Sequence, residues 1–372
     1  MNIAIIGPAH PLRGGGISTF NERLATALQE EGHTVTIYSF SLQYPSFLFP
    51  GKSQFTDEPA PSNLHIKTII NSINPLNWIK AGNTIKDAKH DLVIVRYWIP
   101  FMGPCLGTIL RKIKKNKHSK ILCIADNVIP HEKRPGDVAF TKYFLKPVDS
   151  FITMSKSVME ELKTFTNKRV AYTPHPLYDN YGLAVSKGIA CERLQINPNE
   201  KYLLFFGFIR KYKGLDLLLE AMRDERIQSL GLKLIIAGEY YEDKENCEAL
   251  IRNLNENIIS FTQFIPNEDV KYYFGAADLI VQPYRSATNS GITQIAYHFE
   301  KPMIVTNVGG LREVVPDGKC GYVVEPNSNA IAEGVLKFLQ PSSITELSNN
   351  LKVEKKKYGW DVFVEVLIKT SF

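Results

Sequence analysis

Short apolar runs rich in β-branched residues alternate with helical patterns along this sequence of 372 residues. The runs are continuously apolar, which is typical of parallel strands covered by helices on both faces. They form two series, one at residues 2–7, 34–39, 92–98, 121–126 and 150–155, the other at residues 202–207, 233–238, 259–264, 279–284 and 302–307. The pattern predicts an α/β fold with two doubly wound, Rossmann-like parallel sheets.

A turn-rich segment at residues 175–201 separates the two series. A chain of this length is long for one hydrophobic core, so we expect two domains, at residues 1–182 and 183–357. Two such domains would face a central cleft. Ligands of doubly wound sheets bind beyond the carboxyl ends of the strands, so functional residues are expected there.

The cysteine spacing, the net charge and the hydropathy of the chain limit which kinds of site and location are expected. The five cysteines are scattered and no pair has C-x-x-C spacing, so neither a disulfide framework nor a zinc site is indicated. The net charge of +6 fits an anionic ligand or a membrane surface and does not require nucleic acid. The N-terminus MNIAIIGPAH lacks the basic and apolar regions of a signal peptide, and no apolar run is long enough to span a membrane, so we expect a cytoplasmic protein.

The segment FFGFIRKYKG, residues 205–214, places Arg210, Lys211 and Lys213 between a predicted strand and a helix. Positive charge is unfavourable at a helix N-terminus, where the dipole is already positive. The segment is therefore either a solvated basic turn or a clamp whose guanidinium and ammonium groups neutralise a phosphate.

The segment PYRSATNSGITQ, residues 283–294, follows another predicted strand and precedes a helix that starts near Gly291. Small hydroxyl residues and glycine let backbone N–H groups approach a ligand, and a helix N-terminus favours an anion. By itself the segment could be an ordinary capped loop. Because two strand ends of one sheet would present cations and N–H groups together, we predict a diphosphate site.

The segment RGGGIS, residues 13–18, follows the first strand and opens a helix. It is either a bare turn or a place where the backbone approaches a ligand closely. A dinucleotide fingerprint fails, because Gly14 and Gly16 are followed by Thr19 instead of a third glycine, and the second strand ends without a ribose-binding acid. NAD is therefore discounted.

Together these segments resemble the retaining glycosyltransferases of family 4 (group 1), whose GT-B fold consists of two facing Rossmann-like domains. The resemblance covers nearly the whole chain. It rests on the glycine loop at 14–16, GFIRKYKGLDLLLEAM, IIAGE at 235–239 and VGGLREVVPDGKCGYVVEP at 308–326. It implies an acceptor-side first domain, a second domain that binds a nucleotide-sugar, and a C-terminal helix at about 358–372 that packs back on the first domain.

The resemblance also implies site residues. Arg210 and Lys213 match the basic pair that grips the donor diphosphate, and the glycine loop of Gly14, Gly15 and Gly16 matches the loop that closes over it. Phe264 and Ile265 match a stretch that borders the base. The other expected donor contacts are Gly207, Gly238, Glu239, Asn289, Ser290, Gly291, Ile292, Thr293 and Gln294.

Two departures from the family pattern concern the sugar and ribose. The family usually carries a pair of glutamates, where this chain has Thr288 or Asn289 and then Gln294 or Ala296. Donor contacts by side chains should therefore differ, whereas contacts by backbone N–H groups should not.

In ADNVIPHE, residues 125–132, Asp126 stands where relatives often have histidine. The resemblance therefore implies that Asp126 and Asn127 touch the donor sugar, and Asp126 joins Arg210 and Lys213 as a predicted catalytic residue.

No nucleophile–base pair stands out in the sequence, and retaining enzymes of this fold generally offer none. The resemblance implies a front-face displacement in which the donor C1–O bond ionises while cations stabilise the leaving diphosphate. No Asp-x-Asp metal motif occurs. Neither a metal nor a cofactor is expected, and the nucleotide-sugar is a substrate.

The segment GTILRKIKKNKHSK, residues 107–120, places six lysines and arginines within residues 111–120. It is either a helix C-terminus whose cations suit the dipole, or a patch that touches anionic lipid and suits a lipid-linked acceptor. The protein is then either free in the cytoplasm or peripheral on the inner face of the membrane.

Sequence alone fixes neither the sugar, the base, the acceptor nor the linkage. The leading hypothesis is transfer of a sugar from a nucleotide diphosphate to a glycan or a lipid-linked acceptor, in cell-surface polysaccharide synthesis. A nucleotide-sugar epimerase with the same fold and a two-lobed sugar-binding protein are the alternatives.

Overall fold

The computed structural model describes residues 1–13, 16–45, 54–56, 59–129, 134–287 and 290–372. The chain divides into two compact units. The first consists of Met1–His175 with Trp360–Phe372, and the second of Pro176–Gly359.

The boundary expected between residues 182 and 183 falls inside the second unit and needs correction. The Leu177 N–H donates a hydrogen bond to the Tyr358 carbonyl oxygen (2.9 Å). The side chain of Tyr178 is buried in the core of the second unit. These contacts attach the start of the turn-rich segment to the second unit.

The described residues of the first unit form one seven-stranded parallel sheet with helices on both faces. Its elements are β1 (Asn2–Ile6), α1 (Ile17–Glu30), β2 (Thr34–Leu42), β3 (His65–Asn71), α2 (Pro75–Asp87), β4 (Leu92–Tyr97), α3 (Gly103–Ile113), β5 (Lys120–Ala125), α4 (Asp137–Leu145), β6 (Ser150–Thr153), α5 (Lys156–Lys163), β7 (Val170–Tyr172) and, from the end of the chain, the C-terminal helix (Trp360–Ser371). The strand order is β3-β2-β1-β4-β5-β6-β7.

The central strands of this sheet are buried on both faces. Along β1, Ile3 and Ile5 contribute to one hydrophobic cluster, whereas Ala4 and Ile6 contribute to another on the opposite face. Successive side chains of a strand point to opposite faces, so both sets must be apolar. This explains the continuous apolar runs in the sequence.

The C-terminal helix belongs to the core of the first unit. Trp360, Phe363 and Leu367 are buried in the cluster that α1 also joins. The ring of Phe20 on α1 lies 5.1 Å from the ring of Trp360 and 5.6 Å from that of Phe363, centre to centre. Aromatic pairs at such distances add to the stabilisation from burial.

The described residues of the second unit form a six-stranded parallel sheet with strand order β10-β9-β8-β11-β12-β13. Its elements are α6 (Lys187–Leu194), β8 (Tyr202–Phe206), α7 (Leu215–Ala221), α8 (Glu225–Gln228), β9 (Lys233–Ala237), α9 (Lys244–Arg252), β10 (Ile258–Phe261), α10 (Val270–Ala276), β11 (Leu279–Gln282), α11 (Gly291–His298), β12 (Met303–Thr306), α12 (Leu311–Val314), β13 (Gly321–Val324), α13 (Ser328–Phe338) and α14 (Pro341–Glu354). The C-terminal helix of the first unit is α15.

Every strand expected from the apolar runs is present, with ends shifted by one to three residues. The runs missed three strands, β3, β7 and β13, and each of them lies at an edge of its sheet. Edge strands are often partly exposed, so their apolar pattern is weaker than that of central strands, and of the four edge strands in the described sheets only β10 was found from its run.

All five cysteines are buried free thiols. Burial raises the pKa of Cys105 and of Cys247 to about 12. These thiols are therefore protonated near neutral pH and serve as small apolar side chains.

We expect Phe363→Ala to lower the free energy of unfolding of the first unit by about 3–5 kcal/mol, because it leaves a cavity among buried aromatic rings. Phe372→Ala is the matched control, since Phe372 lies at the exposed end of the chain. Its effect should stay within about 0.5 kcal/mol. Denaturant unfolding followed by hydrogen exchange in β1 and β5 measures both, and equal effects of the two variants would contradict the packing described for α15.

Candidate active site

The two basic and small-residue segments follow neighbouring strands at the point where the sheet order reverses. β8 pairs with β11, and the chain continues from β8 to β9 and β10 on one side and from β11 to β12 and β13 on the other. The helices that follow β8 and β11 pack on opposite faces of the sheet, since α7 and α11 belong to different clusters. Such a switch point leaves a crevice at the carboxyl ends of the strands.

The loop after β8 is hydrogen-bonded to the last residue of β9 and to the loop that follows it. The Gly207 N–H donates to the Ala237 carbonyl (2.8 Å) and the Ile209 N–H to the Glu239 carbonyl (2.8 Å). A Cβ at Gly238 would lie 2.3 Å from the Gly207 carbonyl oxygen, and Gly238 has a φ of +142°, so only glycine fits there. This close approach fixes the start of the basic turn.

Lys213 lies in the short 3₁₀ turn between β8 and α7, and its ammonium lies beside Gly207, to which the first turn of α11 also comes close. A Cβ at Gly207 would lie 3.1 Å from Lys213 Nζ and 3.4 Å from Ile292 Cδ1, in the first turn of α11. Burial and then the charge of Arg210 lower the pKa of Lys213 to about 8. Within the described part of the chain, Nζ makes no hydrogen bond or ion pair, and the ring centre of Tyr284 lies 5.7 Å from it.

Arg210 is held by aromatic contact. Its guanidinium carbon lies 5.1 Å from the ring centre of Tyr241, which packs edge-on against Phe208. Among the residues that the structure describes, no acceptor or carboxylate pairs with Arg210. Arg210 and Lys213 therefore form a pair of cations without counter-ions among the described residues.

A third cation of this region, Arg285, has a different role. Both of its terminal nitrogens donate to the Asp216 carboxylate (2.7 and 2.6 Å) and one also donates to the Lys211 carbonyl (3.1 Å). The Arg285 N–H donates to the Tyr212 carbonyl (2.7 Å). Arg285 thus ties the loop after β11 to the basic turn, a role that the sequence did not reveal.

The first turn of α11 is capped by Ser290. Its hydroxyl accepts the Ile292 N–H (3.3 Å) and lies 3.3 Å from the Tyr284 hydroxyl. The ring of Tyr178 packs against Gly291, where a Cβ would come within 2.9 Å of it. The remaining N–H groups of this turn have no partner within the helix.

The side chains of Thr293 and Gln294 point into the second unit. The Thr293 hydroxyl donates to Gln282 Oε1 (3.1 Å). Gln294 is 1% exposed, and its Oε1 has no partner among the described residues. Thr288 and Asn289, the first expected sugar contacts, lie outside the described residues.

Three more of the expected residues lie at the same edge of the sheet. Glu239 is partly exposed directly after β9. Phe264 is exposed after β10, whereas Ile265 beside it is nearly buried. The four neighbouring strands β8 to β11 therefore bring the expected residues of the second unit to one carboxyl edge.

In the first unit, Asp126 and Asn127 follow β5, and Asp126 has a partner that the sequence did not reveal. Arg96 on β4 donates from Nε and Nη2 to the two carboxylate oxygens of Asp126, both at 2.7 Å. Arg96 is buried, and its guanidinium carbon lies 3.9 Å from the ring centre of Phe20. The pair holds the Asp126 carboxylate in one orientation.

Arg96 could have been found from the sequence. It interrupts the apolar run LVIVRYW. A buried arginine requires a charged partner, but the interrupted run does not show which carboxylate supplies it.

The glycine loop is described only at its end. Gly16 immediately precedes α1, whereas Gly14 and Gly15 lie outside the described residues. Within the described ranges, no group of three or more His, Cys, Asp or Glu side chains could hold a metal ion. In the same part of the chain, no helix is both long and apolar enough to cross a membrane.

Comparison with known proteins assigns the two halves of the chain. Residues 189–358 match the family "Glycosyl transferases group 1", and residues 14–177 match "Glycosyltransferase Family 4". A glycosyltransferase of Methanocaldococcus jannaschii is 25% identical over 93% of this chain and 91% of its own length. The O-antigen chain mannosyltransferase C of Escherichia coli is 25% identical over 94% of this chain and 89% of its own.

Among solved structures, the HepE protein of Anabaena in complex with UDP is similar, with a TM-score of 0.72 and 14% identity over 100% of this chain and 99% of that one. At this identity the likeness shows the fold alone, and it confirms the predicted GT-B fold class. With both halves matched and relatives aligned along almost the whole length, the chain belongs to the group 1, family 4-type glycosyltransferases and is an enzyme that transfers glycosyl groups.

Proposed function

We propose that this glycosyltransferase moves a sugar from a nucleotide diphosphate to a glycan or lipid-linked acceptor, with retention of configuration at C1. The observation that carries the proposal is the pair of cations Arg210 and Lys213, which have no counter-ion among the described residues, at the switch point of the second sheet. Two unpaired cations beside a helix N-terminus fit the two charges of a diphosphate.

The similar proteins support this donor class and acceptor class. HepE of Anabaena was solved with UDP and with UDP-glucose. The similar protein of Escherichia coli is an O-antigen chain mannosyltransferase, which supports a role in cell-surface polysaccharide synthesis. We assign Phe264 and Ile265 to the base, and Gly207, Gly238 and Glu239 to the edge along which the donor lies.

In the proposed reaction, the bond from C1 to the diphosphate oxygen breaks and its electron pair stays on that oxygen. Arg210 and Lys213 stabilise the growing negative charge, together with backbone N–H groups of Gly291 and Thr293 at the first turn of α11. The acceptor oxygen bonds to C1 on the face that the diphosphate leaves. The acceptor proton passes to the departing phosphate oxygen, so no protein base is required.

The first unit contributes an oriented carboxylate. Arg96 holds Asp126 through two hydrogen bonds, and we propose that the Asp126 carboxylate accepts a hydrogen bond from a hydroxyl of the donor sugar and so sets the position of the sugar. We propose that Asn127, the next residue, also contacts the donor sugar. An epimerase would instead turn over donor without any acceptor, and that result would favour the alternative.

We expect Arg210→Ala and Lys213→Ala each to lower kcat/KM for transfer by roughly 30- to 1,000-fold, the effect of losing about 2–4 kcal/mol of transition-state stabilisation. Lys211→Ala is the matched control in the same turn. Its side chain is exposed, and its hydrogen bonds within the described residues, to Glu242, Arg285 and Gly214, all involve its backbone groups. The assay uses the donor whose nucleoside diphosphate gives the largest thermal shift among UDP, GDP and ADP. Normal turnover by either alanine variant, or an equal loss in Lys211→Ala, would contradict the claim that Arg210 and Lys213 bind the diphosphate.

We expect nucleoside diphosphate binding to weaken above pH about 8, where Lys213 of the free protein loses its proton. Because the bound diphosphate favours the charged ammonium, binding at higher pH takes up a proton, and affinity falls by up to about tenfold per pH unit. Below that pH, Lys213 is already protonated and its contribution is constant. Calorimetry in buffers of different ionisation enthalpy measures the proton uptake. Lys213→Ala should bind weakly and show no such uptake, and an uptake that persists in this variant would assign it to another group.

Chelation should leave transfer largely intact, because Arg210 and Lys213 supply the positive charge that a metal would otherwise supply to the leaving diphosphate. Activity is measured after dialysis against EDTA and again after adding Mg²⁺ or Mn²⁺. A complete loss that the metals restore would show that the leaving group needs a divalent cation.

A further inference from the structure

Three helices of the first unit lie side by side on one face of its sheet. A Cβ at Gly82 on α2 would lie 2.8 Å from Lys112 Cβ on α3, and a Cβ at Gly107 on α3 would lie 2.7 Å from Tyr143 Cδ1 on α4. α3 therefore lies between α2 and α4. Because each helix follows a strand of a parallel sheet, the first turns of all three lie at the carboxyl edge of that sheet.

Large apolar side chains are exposed at these first turns. Leu76 is 79% exposed and Val138 is 57% exposed, and both lie in the first turn of their helices. The set, which we call the apolar edge, comprises Ile73, Leu76, Ile79, Val138 and Phe140. Burying such side chains in a partner or lipid is favourable, and clusters of them mark interaction sites.

The strip between the two parts of the apolar edge carries no charge. Residues 98–110, which lead into α3 and form most of it, contain no Asp, Glu, Lys, Arg or His. Phe101 and Pro104 in this strip are partly exposed. The apolar surface therefore continues from α2 across α3 to α4.

Cations border this surface. Lys80 on α2 and Lys142 on α4 are exposed beside the apolar edge. Of the two acids in these helices, Asp87 pairs with Lys86 (3.0 Å) and Asp137 accepts the Arg134 N–H (2.7 Å). Asp137 therefore remains the one acid of these two helices without a cationic partner among the described residues, and Lys80 and Lys142 outnumber it, so the margin carries a net positive charge.

The basic run at residues 111–120 does not form one patch. Arg111 donates to the carbonyls of Gly107 (2.7 Å) and Tyr143 (2.6 Å), and Lys114 pairs with Asp149 (2.9 Å). Lys115 and Lys117 are exposed, but they lie beyond the C-terminal end of α3. The cations nearest to the apolar edge are therefore those of α2 and α4.

We propose that the apolar edge docks on the surface of an anionic lipid bilayer. Its charge argues for lipid over a second copy of the chain, because a symmetric contact would set the same cations against each other. Apolar side chains that enter the lipid boundary while lysines remain among anionic headgroups are typical of interfacial binding. The inference rests on the proposed function, and it selects the lipid-linked acceptor, whose sugar would reach the carboxyl edge of β5 while its lipid stays in the bilayer.

The test is sedimentation with vesicles of roughly one part phosphatidylglycerol to two parts phosphatidylcholine. The wild-type protein should sediment with them and be released as salt rises. Leu76→Ser with Phe140→Ser should lower the bound-to-free ratio by at least about tenfold, because two exposed apolar side chains no longer enter the lipid. Leu230→Ser is the matched control, an exposed leucine of the second unit whose loss should leave sedimentation unchanged.

Charge is tested with a second matched pair. Lys80→Gln with Lys142→Gln should lower the bound-to-free ratio about tenfold or more, since each lysine near such a surface contributes about fivefold. Lys115→Gln with Lys117→Gln removes the same charge at the far end of α3 and should have a clearly smaller effect. Equal losses in the two charge variants, no sedimentation of the wild type, or a dimer in solution that Leu76→Ser with Phe140→Ser disrupts would each overturn the proposal.

The thermal shift with UDP, GDP or ADP separates this proposal from the proposed function. None of these substitutions changes a residue that we assign to the diphosphate, so the shift should be the same in every variant. Loss of vesicle binding with an unchanged shift supports the lipid-docking surface. Absence of any nucleoside diphosphate shift in the wild type would count against the proposed function, whatever the vesicles show.

Discussion

The parallel pairing of β8 with β11 is the constraint on which the candidate active site depends. It places the topological switch point of the second sheet, where the strand order reverses, next to the basic turn after β8 and the first turn of α11. Because α7 and α11 then pack on opposite faces, neither helix fills the space above the two strand ends. Lys213 and Ile292, which come from chain segments far apart in sequence, both lie close to Gly207 after β8.

The cations of this region divide into those that stabilise the fold and those that remain available to a ligand. Arg285 is paired with Asp216 and bonded to the backbone, so it fixes the geometry. Arg210 and Lys213 have aromatic neighbours instead of carboxylates among the described residues. The low pKa of Lys213 reflects the cost of keeping a half-buried ammonium beside Arg210, and an anionic ligand would relieve it. Two cations close together without carboxylate partners lower the stability of the folded protein, which indicates that they serve to bind a ligand.

The central strands, the two-unit α/β architecture and the position of the basic turn could all be read from the sequence. Strands buried on both faces must be continuously apolar, whereas the edge strands β3, β7 and β13 are partly exposed and carry no such pattern. Long-range partners were missed for another reason: the Arg96–Asp126 pair and the Arg285–Asp216 pair depend on which strand ends and loops become neighbours. That information lies in the strand order, which local patterns do not contain.

A co-crystal structure with the nucleoside diphosphate that binds most tightly, out of UDP, GDP and ADP, tests the central claim most directly. We expect its phosphate oxygens to lie about 2.7–3.2 Å from the Arg210 guanidinium and from Lys213 Nζ, with the first turn of α11 pointing at them. In that structure Arg285 should keep its pairing with Asp216. A diphosphate bound away from Arg210 and Lys213, with both cations still unpaired, would contradict the claim that they hold the leaving group.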